Sequence, residues 1–106
     1  MITARLLTTT VWRDITRAAK KRPNGCKAAV AYFGSGASKL LPLKTGSVLV
    51  VDMSEAAVGS GRTSPKEVLS LMKAGVEVHS VRNLHAKVFA FPRQAFVGSA
   101  NVSHSS

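Results

Sequence analysis

The sequence predicts an α/β fold, a mixed and mostly parallel sheet flanked by helices, and three observations predict it. Residues 47–53 (SVLVVDM) are an apolar run of strand length. Ser64-Pro65-Lys66-Glu67 then opens a helix and residues 76–81 (VEVHSV) read as a further strand, so strand, helix and strand follow one another as a βαβ unit, expected to be right-handed with parallel strands. Residues 85–91 (HAKVFAF) and 95–101 (AFVGSAN), joined through Pro92-Arg93-Gln94, read as a hairpin. The 106 residues suffice for one small domain, taken as 1–106.

The elements follow in order. From Thr10 to about Arg22, Val11, Trp12, Ile15, Ala18 and Ala19 recur at helical spacing, and Arg13, Arg17, Lys20 and Lys21 gather on another face. That basic face is an ordinary solvated face or a seat for phosphates. Pro23-Asn24-Gly25 stops the helix. Residues 27–33 (KAAVAYF) read as a buried strand, and GSGAS (34–38) as a flexible loop that lacks the spacing of a P-loop. The unbroken run at 47–53 suits a central strand covered on both faces. Asp52 near its end stands either at a site or as the cap of the next turn. Residues 54–63 read as a connection. In the helix after it, Ser64 is the expected N-cap, Pro65 fits the first helical position, Glu67 completes a capping box, and Gly75 ends the helix.

Fifteen basic against five acidic residues give a formal net charge of +10. Such an imbalance favours a polyanionic partner, nucleic acid first and an anionic membrane surface second. No stretch approaches the roughly 20 apolar residues of a membrane span, and the N-terminus lacks the apolar core of a signal peptide, so a cytoplasmic location is expected by default. Cys26 is the single cysteine, which excludes an internal disulfide and a cysteine-based metal site. It reads as a small, partly buried filler, and Trp12 and Tyr32 read as core aromatics.

The chemistry concentrates in residues 84–101, LHAKVFAFPRQAFVGSAN. Strand alternation places His85, Lys87, Phe89 and Phe91 on one side, so an imidazole and an ammonium stand as neighbours. That pair suits attack on a phosphate diester: the imidazole is a nucleophile or proton carrier near neutral pH, and the lysine neutralises non-bridging oxygens. On the partner strand, Gly98 permits close approach, and Ser99 and Asn101 offer hydrogen bonds to phosphate oxygens. His79 and His104 fit no motif, although His79 could line the same sheet edge.

This segment resembles the phospholipase D superfamily signature, H-x-K-x4-D-x6-G-S-x-N, through His85, Lys87, Gly98, Ser99 and Asn101. AVAYFG (29–34), the SVLVVD strand and the LHAK entry also occur in the order found in bacterial members. The resemblance implies a phospholipase D-like fold and metal-independent phosphodiester cleavage or transfer through a phosphohistidine, with no cofactor. His85, Lys87 and Asn101 would be catalytic, and Lys87, Ser99 and Asn101 would hold phosphate. It also implies a second copy of the motif, from a homodimer or a longer parent chain.

There are departures. Pro92 stands at the aspartate position, the interval to Gly98 is one residue short, and no acidic residue follows Glu77 to orient the histidine. Family domains continue past G-S-x-N, so the fold is expected to be incomplete at its C-terminal side. Two rival readings remain. One is a degenerate, non-catalytic nucleic-acid-binding module; the other is a phosphatidyltransferase of the cardiolipin synthase type, disfavoured by the lack of an apolar anchoring segment.

Overall fold

Four- and five-residue strands alternate with short helices in the computed structural model, which describes residues 3–6 and 12–98. The order is β1 (Thr3–Leu6), α1 (Trp12–Lys21), β2 (Lys27–Val30), α2 (Ala37–Leu40), β3 (Val48–Val51), α3 (Glu55–Gly59), α4 (Pro65–Lys73), β4 (Glu77–Ser80), β5 (Lys87–Phe91) and β6 (Gln94–Val97). The strands form one mixed sheet in the order β1-β6-β5-β2-β3-β4. The β1–β6, β2–β3 and β3–β4 pairings are parallel, whereas β2–β5 and β5–β6 are antiparallel. Among the described strands β5 therefore runs against all the others. The expected α/β class, the parallel β3–β4 pair and the hairpin are all present.

The core lies on one face of this sheet. Ala28, Val30, Leu49, Val51, Phe89, Phe91 and Phe96 are its strand contribution, and paired residues such as Ala28 with Leu49 and Phe89 with Phe96 share that face. Ile15, Ala18 and Ala19 of α1, Ala37 of α2, and Val68 and Leu71 of α4 join the same cluster. The rings pack edge to face: Trp12 on Phe89 at 5.3 Å and Phe91 on Phe96 at 6.1 Å between centroids. The opposite face is built of small side chains, Ala29, Val48, Val50, Val88, Ala90 and Ala95, all only partly buried. This corrects the expectation that β3 is covered on both faces. Its burial alternates, because the buried residues of α1, α2 and α4 all collect over one side.

Other expectations also need correction. The strand expected at 27–33 ends at Val30, since the chain leaves the ladder after Ala31. The segment read as a glycine-rich loop turns at Gly36 (φ 80°) directly into α2. The connection read at 54–63 contains α3, where Ser54 Oγ accepts from the Ala57 N–H at 3.4 Å. The capping box is not formed. Ser64 occupies the N-cap position without a side-chain bond, and Glu67 instead accepts from the N–H and the hydroxyl of Ser38 at 2.9 and 2.8 Å. Packing of α4 against α2 brings Ser38 to that carboxylate, and two donors on one oxygen outbid a local bond. Pro65 and Gly75 act as the sequence suggests.

At the amino edge of the parallel strands three turns interlock. Asn24 Nδ2 donates to the Thr45 carbonyl at 2.7 Å, and Thr45 Oγ1 donates to the Ala74 carbonyl at 3.2 Å. Gly75 (φ 97°) lies so close to Thr45 that a side chain there would collide with it.

Candidate functional site

The opposite, carboxyl edge gathers the residues with chemical potential. Here end β2, β3, β4 and β6, and here the reversed β5 begins, so the segment entering β5 sits beside the residues leaving its neighbours. The β2–β5 ladder runs one step further through Ala31 N–H to the Ala86 carbonyl at 3.1 Å. The β5–β6 ladder runs on through Gly98 N–H to the Lys87 carbonyl at 2.9 Å. Lys87, paired with Val30, is the first residue of β5.

His85 is therefore not on the strand, which corrects its expected placement on a buried strand beside Lys87. It occupies the connection just before β5 and is exposed, while Lys87 is partly buried. His85 and Lys87 both line a groove of about 590 Å³, with Tyr32, Leu84, Val97 and Gly98 around them. The hairpin turn is shorter than read, with Pro92 and Arg93 at its tip and Gln94 already paired with Phe91. Ser99, Asn101 and His104 lie outside the described residues.

Asp52 acts as a brace for this groove. It is buried, 4% exposed, at the end of β3. Its carboxylate accepts from the Ser54 N–H at 2.9 Å and from the Asn83 N–H at 3.1 Å. These bonds, those with Ser54 foremost, and the charge of Arg82 hold its carboxyl below the usual aspartate range. Asn83 has a left-handed backbone (φ 59°) in the turn that carries the chain from β4 toward His85. Asp52 thus fixes both the turn into α3 and the turn that delivers the imidazole. Of the two roles open to it in sequence, the structural one is observed. Thr63, also buried, donates to the Asp52 carbonyl at 2.9 Å and ties the α3–α4 connection to the same point.

Tyr32 is not the core aromatic it was read as. It lines the groove, its hydroxyl accepts from Arg62 Nη1 at 3.2 Å, and the Arg62 guanidinium lies 5.3 Å from its ring centroid. The two stand thirty positions apart, beyond the reach of any local pattern. His79 is exposed on β4 and paired with Glu77, outside the groove lining. Cys26 is fully buried, and burial pushes its thiol up to about 12, which suits a filler and not a nucleophile. Among the described residues no cluster of histidine, cysteine or acidic side chains could hold a metal ion, and no helix is long and apolar enough to cross a membrane. On α1, Arg13, Arg17, Lys20 and Lys21 are exposed around a second groove floored by Trp12 and Leu40.

Compared with known proteins, the chain matches no family model, no curated protein and no solved structure.

Proposed function

We propose that this domain is a metal-independent phosphodiesterase of the phospholipase D type acting on nucleic acid, with His85 as nucleophile and Lys87 as phosphate clamp. The observation that carries the reading is the shared groove: His85, Lys87 and Gly98, separated in the signature, line one cavity at the carboxyl edge of the sheet. A neutral imidazole attacks phosphorus, forming a P–N bond as the P–O bond to the leaving group breaks. A second histidine, from the second copy of the motif in a homodimer or longer parent chain, gives its proton to the leaving oxygen. Water then attacks phosphorus, giving that histidine its proton while the P–N bond breaks and His85 is released. The ammonium of Lys87 offsets the negative charge gathering on the non-bridging oxygens. Ser99 and Asn101 would add hydrogen bonds to the same oxygens. The net charge of +10 favours DNA or RNA over a lipid headgroup.

Hydrolysis of an aryl phosphodiester in excess EDTA tests the reading. His85→Asn abolishes turnover and leaves the fold intact, because His85 is exposed. Lys87→Ala lowers kcat by about a hundredfold or more, the usual cost of removing one charge-stabilising donor. Turnover surviving in His85→Asn, or turnover lost to EDTA and restored by a divalent metal, refutes the mechanism. A second reading is a nucleic-acid-binding module without turnover, and the specific observation favouring it is Pro92, which occupies a tight turn where the signature has aspartate. An inactive assembly that still binds nucleic acid supports that reading.

A further inference from the structure

Tyr32, in the connection after β2, lines the His85–Lys87 groove, and Arg62, from the connection between α3 and α4, reaches its hydroxyl. Arg62 is exposed, and among the described residues no carboxylate pairs with it. An arginine on a surface connection ordinarily samples many rotamers in water. This one is held over an aromatic ring and donates one of its five N–H groups to the ring's hydroxyl. The remaining donors form a planar fork that matches a phosphate, which is the geometry that distinguishes arginine from lysine. The preceding Gly61, at φ 79°, sets the turn that carries Arg62.

A substrate with a single phosphate needs no such pair, since Lys87 already serves the reacting centre. A polymer with repeating phosphates and planar bases does use one, because charge at intervals and an aromatic surface together grip a single strand. We propose that Tyr32 and Arg62 form a flanking-nucleotide subsite for single-stranded nucleic acid. Arg62 takes a phosphate next to the one at His85 and Lys87, and Tyr32 packs against the neighbouring sugar or base. The assignment rests on the phosphodiesterase reading for its catalytic consequence, though not for binding.

Two measurements on the full chain in its assembled form test it. In the first, KM is compared for a single-stranded oligonucleotide and for bis(p-nitrophenyl) phosphate, which has no flanking phosphate. Arg62→Ala raises the oligonucleotide KM by about tenfold, the cost of one charged hydrogen-bonded contact, and moves the aryl KM far less. Arg62→Lys does not restore the oligonucleotide KM, because an ammonium lacks the fork. In the second, anisotropy of a fluorescent oligonucleotide is followed on His85→Asn with and without Arg62→Ala, and affinity falls by a similar factor. An oligonucleotide Kd indifferent to Arg62 overturns the proposal, as does an equal loss on both substrates. If the wild-type assembly cleaves nothing, the phosphodiesterase reading fails, while the anisotropy arm still decides the subsite.

Discussion

Aspartate 52 shows how one side chain commits a loop. Its carboxylate holds the Asn83 amide, and Asn83 leads within two residues to His85. Because hydrogen bonding lowers the folded pKa, the anchor is intact above the ordinary aspartate range and is lost as pH falls through the folded value. Asp52→Asn therefore speeds hydrogen exchange at the Asn83 amide and, on the proposed phosphodiesterase reading, reduces kcat. Unchanged exchange at Asn83 would show that the turn holds itself. Gly75 makes a second residue-scale commitment. Its φ of 97° and the proximity of Thr45 exclude a side chain, so Gly75→Ala costs about 2 kcal/mol or more, measured as a lower denaturation midpoint. This glycine was legible as a helix terminator, but its contact with Thr45, thirty residues away in sequence, was not.

At the scale of elements, legibility followed length and periodicity. The helix at Trp12–Lys21 spans enough residues for its spacing to repeat, and the strand at Val48–Val51 lies in an unbroken apolar run, so both were readable. Helices of four and five residues, α2 and α3, are shorter than any repeat and passed as loops. The strand Thr3–Leu6 contains two polar residues in four and gave no signal. The candidate site was half legible: the H-x-K spacing singled out two residues of one groove, but Tyr32 in its lining and the Arg62 bonded to it depend on tertiary contact. Glu67 teaches the same lesson, since a local motif was redirected to Ser38. As Glu67 joins α4 to α2, Glu67→Ala costs about 1–2 kcal/mol at neutral pH. Its carboxyl is held below the usual glutamate range, chiefly by the Ser38 amide, so this difference is full above that range and shrinks as pH falls through the folded value. Urea titrations of both proteins at neutral and acidic pH would reveal it, and a difference independent of pH would remove the carboxylate from the account.

For the whole molecule the dominant quantity is charge. Ten net positive charges on 106 residues include the cations of α1, and the sequence carries no evident base-reading motif. Any binding to nucleic acid is then expected to be electrostatic and weakly selective. For about six neutralised phosphates, affinity falls on the order of a thousandfold between about 50 and about 200 mM salt. Titrations at several salt concentrations with unrelated sequences measure both properties, and a salt-insensitive, sequence-selective complex would contradict the expectation.

The edge strand β1 bears on the order in which the fold can be assembled. Its backbone pairs with β6, so residues 3–6 find their place beside residues 94–97, at the other end of the described chain. A chain emerging from synthesis completes β2, β3 and β4 while its earliest strand still has no template. Strand β1 thus precedes β2–β4 in synthesis yet is seated after them, because it waits for the β5–β6 hairpin. This closure of distant ends is expected to be slow, because the entropy of closing a long loop is lost before the pairing rewards it. During that interval β1 and the β5–β6 hairpin are unpaired edges of the nascent chain, the stretch of its history in which a chaperone has most to protect.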